Sequence, residues 1–456
     1  MAGPPAMHAP DRSSRALLKL ALPLFVANLA VVGNGTIDAV MAGRLSATDL
    51  AAVAVASSVY ITVYIGFMGV LQALSPIAGH HYGARRWRAI GDDVQQALWL
   101  SLLLAAAGLP WVLATDLWIG FARVDGDVGR VATLYLQAIA FGLPAALATR
   151  VFVALNAAVS RPKVTMIINV TALALKVPLN LVFMHGIGPI PALGGAGAGV
   201  ATALLSWLML AMSLVVWRFD PFYARFRSTE VQGPRWPSIR EQLKLGVPIG
   251  LSTMFEVTSF TFMAVLIARL GTVAVAGHQI VSNLIAILFM VPLSLGVATS
   301  VLVAQSLGAG DPKVARRAAL RGFRTGIAIA IAAAGILWLL RETIVGLYTN
   351  DPAVASMALS LLGLAAVFHL FDAAQGVAVF VLRGYKSTFW PMVIYGVALW
   401  GMGLGGGYWI GLNPSPFGPP RGPAGFWEAA TVALALAAIL LCILAAAVSR
   451  RHAARG

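Results

Sequence analysis

The sequence is poor in the residues on which soluble enzymes and disulfide-bonded domains depend. Cysteine occurs once, at Cys442, which excludes an internal disulfide and a CxxC metal or redox site. Charged residues make up only 11% of the 456 residues, whereas soluble domains carry about 25%. No GxxxxGK[ST] phosphate-binding loop is present, so nothing in the sequence indicates an ATP-driven process. A soluble globular fold is therefore not expected.

Hydrophobic residues make up 59% of the chain and fall in long runs. A helix that crosses a bilayer needs about 20 mostly apolar residues, and such runs follow one another almost from end to end. The sequence therefore predicts an all-α integral membrane protein with twelve transmembrane helices. The predicted spans are about 16–43, 48–78, 90–118, 130–155, 163–185, 192–217, 240–267, 273–306, 317–340, 352–380, 388–412 and 425–448.

The net charge of +15 could indicate nucleic acid as a partner, but the position of the basic residues argues otherwise. Most lysines and arginines, Arg383 among them, fall in loops on one side of the predicted membrane. The loops on the other side carry Arg44, Arg123, Arg130, Arg269, Arg341 and Arg421. Because cytoplasmic loops hold the Lys/Arg excess, both termini are predicted to face the cytoplasm. The arginine- and alanine-rich composition suggests a bacterium, and hence its cytoplasmic (inner) membrane.

The second half of the chain repeats the first. When Leu18 is laid over Leu243, Lys19 and Pro23 fall on a lysine and a proline, and residues 83–84 fall on 308–309. The repeat predicts two pseudo-symmetric six-helix lobes, at 1–220 and 240–456, with a cytoplasmic linker at 221–239. Each lobe has an even number of spans, so the repeat is a parallel one, and two such lobes suit a transporter that works by alternating access.

Three acidic residues fall inside the apolar spans: Asp38 in the first, Glu256 in the seventh and Asp372 in the tenth. An ionised carboxylate at the centre of a span costs a few kcal/mol, so such groups face water, pair with a cation or become protonated. Lys176 and Arg150, both in the first lobe, could pair with Asp38, but the unpaired alternative is favoured. The second lobe has no lysine or arginine in the interior of its predicted spans, so its two acids are expected to take a cation from outside.

The carboxylates suit either of two coupling ions. Oxygen ligands bind Na⁺, and a site for it is predicted at Glu256 and Asp372. Equally, burial lets a carboxylate carry a proton. Asn34 shares a helix face with Asp38. Gln279 and Asn283 add polar groups to the eighth span, where hydrogen bonding between helices is the favoured interpretation and support of the acids is the alternative.

Several motifs, in order, resemble the multidrug and toxic compound extrusion (MATE) transporters of the NorM type. They are residues 36–43 in the first span, 248–257 in the seventh, Asp372 with the following 382–386, and 422–427 at the start of the twelfth. The resemblance implies twelve helices in two lobes around a V-shaped cavity. It also implies export of amphipathic, often cationic drugs against inward flow of Na⁺ or H⁺.

The resemblance also implies roles for particular residues. Glu256 and Asp372 match the cation site of the second lobe, and Asp38 matches the coupling acid of the first. Asn180 and Thr202 match polar partners of that acid. The chain departs from some relatives at two positions, which are Met184 in place of a second acid and Phe368 in place of a tyrosine.

The sequence thus predicts a cation-coupled antiporter that exports multiple drugs, acts as a monomer in the lipid bilayer, and needs no cofactor besides the coupling ion. The nearest alternative is a flippase for a lipid-linked oligosaccharide, but its pyrophosphate would call for several basic residues in the cavity. A membrane-embedded enzyme would need clustered catalytic or metal-binding residues within the spans, and a channel would conduct ions without coupling. An enzyme and a nucleic-acid partner are therefore not expected.

Overall fold

The structure, a computed structural model, describes residues 14–122, 124, 126–227, 230, 232–414 and 418–455. The predicted all-α fold is confirmed, because these residues include twelve helices long and apolar enough to cross a membrane. Residues 1–13 of the predicted first lobe and residues 228, 229 and 231 of the predicted linker lie outside the described part of the chain.

The twelve long helices, counted in chain order, are close to the predicted spans. Those of the first half are Ser14–Leu45, Ala47–Leu71 with Leu74–Gly83, Trp87–Leu113, Gly126–Ala158, Pro162–His185 and Ala196–Phe219. Those of the second half are Trp236–Ala268, Thr272–Gly308, Pro312–Leu339, Pro352–Gly384, Phe389–Leu412 and Gly422–Arg455. Short helices lie at Thr115–Ala122, Pro221–Ala224 and Arg341–Tyr348.

Two of the long helices are irregular. The second is interrupted at Gln72 and Ala73, because Pro76 has no N–H to donate to the carbonyl four residues earlier. The Gln72 carbonyl accepts from the Ser75 N–H instead, at 3.0 Å. The eleventh helix contains a π-helical stretch, Gly396–Gly405.

The core divides along the chain. One large cluster of buried apolar side chains draws its members from residues between Ala42 and Ile239, and a second draws them from residues between Met263 and Leu441. Apart from Ile239, which belongs to the seventh helix, the first cluster lies in the first half and the second cluster lies in the second half.

The halves touch where backbones meet at small residues. A Cβ on Gly83 would lie 1.9 Å from the Gln305 carbonyl oxygen, and one on Gly308 would lie 2.0 Å from the His80 carbonyl oxygen. These two glycines are equivalent in the sequence repeat, so the contact is symmetric. The side-chain amide of Gln305 also donates to the Ala158 carbonyl, at 2.7 Å. We call this end of the bundle, where loops 84–86, 159–161 and 309–311 come together, the basic end.

The tenth helix corrects one prediction. Arg383 was assigned to a loop, but the helix continues to Gly384 and buries Arg383 to 8% exposure. Its guanidinium donates to Gln72 Oε1 of the first half at 3.0 Å. The predicted tenth span ends at residue 380 because hydropathy falls there. The helix continues for another turn, in which the polar Arg383 packs between the two halves.

Candidate functional site

Asp38, on the first helix, lies in a polar cluster buried inside the first half. Its Oδ1 atom is 2.8 Å from Lys176 Nζ of the fifth helix and accepts from Asn180 Nδ2 at 2.7 Å. Thr202 Oγ1 of the sixth helix lies 3.4 Å from Asp38 Oδ2, and its proton can go there or to the Ala198 carbonyl at 2.8 Å. Asn180 and Thr202 thus lie beside Asp38 as the resemblance implied.

The sequence favoured an Asp38 without a basic partner, and this prediction is wrong, because the carboxylate pairs with Lys176. Lys176 is only 1% exposed and forms the ion pair from inside the protein. Lys176 precedes Asn180 by one turn of the same helix, so both side chains reach Asp38 together. The other candidate, Arg150, donates through Nε to the hydroxyl of Tyr64 instead.

A cavity of about 640 Å³ adjoins this cluster. All the residues that line it belong to the first half, and they include Asn34, Asp38, Arg150 and Lys176. Asn34 uses its amide N–H on its own helix, where it donates to the Ala30 carbonyl at 3.0 Å.

The two acids of the second half come together around one amide. Gln375 Nε2 donates to Asp372 Oδ1 at 3.0 Å and lies 3.3 Å from Glu256 Oε1. Asp372 is 5% exposed and Gln375 is 1% exposed. The described residues form eight ion pairs, and neither Glu256 nor Asp372 belongs to any of them.

Gln375 was missed by the sequence analysis. An uncharged amide draws less attention than an acid in a span, yet its place three residues after Asp372 puts it on the same helix face. Its own carbonyl oxygen, Oε1, is buried and has no hydrogen-bond partner among the residues that the structure describes. That oxygen and the two carboxylates together offer the hard ligands that a small cation needs.

The two candidates of the eighth helix lie elsewhere. Gln279 is exposed. Asn283 is also exposed, and its Oδ1 atom accepts from the Tyr348 hydroxyl at 2.8 Å. Within the described residues, neither side chain hydrogen-bonds to Glu256 or Asp372, and the polar support of those acids comes from Gln375.

No group of three or more His, Cys, Asp or Glu side chains placed to hold a metal ion occurs in the part of the chain that the structure describes. A small hard cation needs no such group, because carboxylate and amide oxygens like those of the two acids and Gln375 can bind it.

Comparison with known proteins gives concordant results. The MatE family model matches residues 23–182 and 248–409. A probable multidrug resistance protein NorM from Aromatoleum aromaticum is 40% identical over 451 residues, which cover 98% of this chain and 97% of that protein. The multidrug resistance protein PmpM of Pseudomonas aeruginosa is 38% identical, with coverages of 95% and 91%. The crystal structure of the eukaryotic MATE transporter AtDTX14 superposes with a TM-score of 0.85 at 21% identity, covering 97% of this chain and 98% of that one.

Proposed function

The chain belongs to the MatE family, and from that premise we propose that it is a secondary antiporter that exports bulky organic cations. Inward flow of Na⁺ or H⁺ drives the export. The protein acts as a monomer in the cytoplasmic (inner) membrane of a bacterium, with both termini and the basic end facing the cytoplasm. The relatives named as multidrug resistance proteins support a broad range of drug substrates.

The observation that carries the proposal is the acid pair of the second half. Glu256 and Asp372 share the amide of Gln375. Two carboxylates inside a membrane are costly unless a cation or protons neutralise them. Among the described residues no basic side chain forms an ion pair with either acid, so in the proposed mechanism the compensating charge comes from an ion that can enter and leave.

Asp38 takes a different part in the mechanism. Lys176 already neutralises it, so a second cation gains little by binding there while the pair is closed. The coupling ion therefore binds at Glu256 and Asp372, and Asp38 with Lys176, Asn180 and Thr202 holds the first half together beside the cavity.

Export follows if the ion and the drug favour opposite-facing states. Coupling requires each ligand to bind one state better than the other. Both halves contact each other at the basic end through Gly83 and Gly308, so the two halves rock as bodies about this contact and open it to admit a drug from the cytoplasm. Binding of the ion to the acid pair favours release of the drug on the far side.

The test is dye efflux from proteoliposomes under an imposed Na⁺ gradient and, separately, an imposed pH gradient. One of the two gradients drives efflux by the wild-type protein. Glu256→Gln abolishes it, because the neutral amide cannot exchange an ion. Asp127→Asn is the matched control, since this acid is exposed and forms an ion pair with its helix neighbour Arg130.

Efflux by Glu256→Gln at the wild-type rate would remove the acid pair from the mechanism. Absence of efflux by the wild-type protein under either gradient would refute antiport itself. A current that flows without dye would favour a channel instead.

The flippase alternative finds little support in the cavity. Of the two basic residues that line the cavity, Lys176 is held by Asp38, which leaves Arg150 as the available cation. A pyrophosphate group needs several such residues, because it spreads more than one negative charge over many oxygens.

A further inference from the structure

Arg383 is a buried charge to which the antiport mechanism above gives no role. Its side chain is 8% exposed, and none of the eight ion pairs of the described residues includes it. Its guanidinium carbon lies 4.3 Å from the centre of the Phe380 ring. A guanidinium inside a membrane span is costly, and such a residue usually marks the path of an ion or a substrate.

The hydrogen bond of Arg383 crosses from the second half to the first. Its Nη1 atom donates to Gln72 Oε1 at 3.0 Å, and Gln72 lies where the second helix is interrupted. Within the described part of the chain no other acceptor engages the guanidinium. A guanidinium has five N–H donors, so donors of Arg383 remain for a second acceptor.

The same guanidinium lies close enough to the acid pair to act on it. Arg383 follows Asp372 by about three helical turns, so the two residues lie on nearly the same face of the tenth helix. Side chains lean towards the N-terminus of their helix, which directs Arg383 back towards the acids. Its charge attracts the Glu256 carboxylate. The buried hydroxyl of Tyr395 interacts electrostatically with both groups, so a polar group lies within reach of each.

The bond to Gln72 depends on the contact between the halves. Gln72 and Arg383 belong to different halves, so separation of the halves at the basic end breaks it. A buried guanidinium that loses its acceptor still carries the cost of desolvation. Glu256 is an acceptor of opposite charge that stays in the same half as Arg383, and a guanidinium and a bound cation compete for one carboxylate because each neutralises it.

We propose that Arg383 is the counter-ion that replaces the coupling ion at Glu256. Arg383 bonds to Gln72 while the cytoplasmic side is closed, and it turns to Glu256 when that side opens, which releases the ion into the cytoplasm. The affinity of the acid pair for the ion thereby differs between the two states, as coupling requires. The inference rests on the proposed export function and adds a residue to it.

Everted membrane vesicles test the two sides separately, because their cytoplasmic face is turned to the bath and their outer face to the lumen. A dye in the bath is carried inwards when the lumen holds the coupling ion, Na⁺ or H⁺, at the higher concentration. The bath concentration of that ion that halves dye uptake reports its release on the cytoplasmic side. The lumenal concentration that gives half-maximal uptake reports its entry.

Arg383→Gln removes the competing charge, so the ion leaves Glu256 less readily. Uptake should be halved at a bath concentration about tenfold lower than in the wild type, because hydrogen bonds to a charged group are lost. The lumenal concentration should change by less than about threefold. Arg383→Lys keeps the charge but loses the planar donors, so its effect is intermediate. Arg130→Gln, which alters an exposed arginine, leaves both concentrations unchanged.

Gln72→Leu acts on the opposite side. It removes the acceptor in the first half, so Arg383 turns to Glu256 even while the cytoplasmic side is closed. The lumenal concentration for half-maximal uptake should rise by about tenfold, and the bath concentration should not change. The double variant Gln72→Leu/Arg383→Gln should lose this rise, because Gln72 acts on the ion only through Arg383.

Equal shifts on both sides in Arg383→Gln, an unchanged bath concentration in that variant, or a lumenal rise that persists in the double variant would each overturn the proposed role. Gln72→Leu decides alone if Arg383→Gln does not reach the membrane, since an unchanged lumenal concentration or a complete loss of uptake would then contradict it. Failure of the export function looks different: wild-type vesicles would take up no dye under either gradient, which would refute antiport and this inference with it.

Discussion

The two halves of the molecule treat their intramembrane acids in opposite ways. In the first half, Asp38 is neutralised by Lys176 from a neighbouring helix. In the second half, Glu256 and Asp372 share the amide of Gln375 and take part in no described ion pair. The first arrangement is electrically complete, whereas the second needs a cation or protons from outside. Under the proposed antiport mechanism, this difference assigns the exchange of the coupling ion to the second half.

The contrast is sharper because the scaffold around it is repeated. Gly83 and Gly308 are equivalent in the sequence repeat and make equivalent close contacts at the basic end. A Cβ at either position would lie about 2 Å from a backbone oxygen of the other half. The halves thus share the residues that let them pack and differ in the residues that carry charge.

The largest effect is expected from breaking the closed pair of the first half. Lys176→Met leaves Asp38 buried with an uncompensated charge, which typically costs about 3–5 kcal/mol. The double variant Lys176→Met/Asp38→Asn should recover most of that loss, because it removes both charges. Thermal unfolding in detergent measures both. Equal stability of the wild type and the single variant would mean that the ion pair contributes nothing.

Loss of the amide in the second half comes next. Gln375→Leu removes the donor shared by Asp372 and Glu256, and hydrogen bonds to charged groups contribute about 1.5–3 kcal/mol. The empty, ionised acids thereby lose stabilisation, so a coupling proton should bind them more tightly and the proton concentration at half-maximal efflux should fall by about tenfold or more. Gln279→Leu is the matched control, since this exposed glutamine of the eighth helix does not contact the acids. An identical ion dependence in Gln375→Leu and the wild type would contradict the assignment.

A smaller effect is expected where the halves meet. Gly83→Ala places a methyl group against the Gln305 carbonyl, and overpacking of this kind costs about 1–3 kcal/mol. Gly335→Ala is the control, because nothing lies within 4 Å of the added carbon. The unfolding temperature and the efflux rate should fall in the first variant and not in the second. An unchanged unfolding temperature and efflux rate in Gly83→Ala would show that the backbones at the basic end can move apart without cost.

The smallest effect concerns an ion pair at the surface of the first half, between Arg161 and Asp220 at 2.5 Å. Burial acts to raise the pKa of Asp220, but the Phe222 N–H and the Arg161 guanidinium outweigh it and hold this pKa below its usual range. Its stabilisation is therefore present above about pH 4 and is lost as the pH falls through the lowered pKa. Asp220→Asn should cost about 1 kcal/mol or less at neutral pH.

The difference in stability between the wild type and Asp220→Asn should vanish in acid, where the wild-type carboxylate is protonated. Unfolding of both proteins, measured from pH 7 downwards, checks this sign. A gap between them that widens as the pH falls would contradict it. Comparison of the stability lost in Asp220→Asn with that lost in Lys176→Met shows how much more a broken ion pair costs when it is buried.

The sequence predicts the twelve helices well because a membrane span is a local property of about 20 residues. The three intramembrane acids stand out for the same reason, as charges in apolar runs. Whether Asp38 pairs with Lys176 depends on how closely the first and fifth helices approach, and that distance is set by packing throughout the first half. No local pattern decides it.

Gln375 and Arg383 were missed or misplaced for other reasons. Gln375 carries no charge, and only its spacing from Asp372 could have drawn attention to it. Arg383 lies at the end of a span, where a basic residue normally indicates a loop, yet contact with Gln72 across the halves buries it. Both errors concern polar residues whose surroundings come from distant parts of the chain.

One measurement tests most directly whether ion exchange belongs to the second half alone. Gradient-driven dye efflux is compared in proteoliposomes that contain Asp372→Asn or the double variant Lys176→Met/Asp38→Asn. The account predicts that efflux persists in the double variant, which keeps the first half electrically complete, and disappears in Asp372→Asn. Efflux that persists in Asp372→Asn and disappears in the double variant would contradict it.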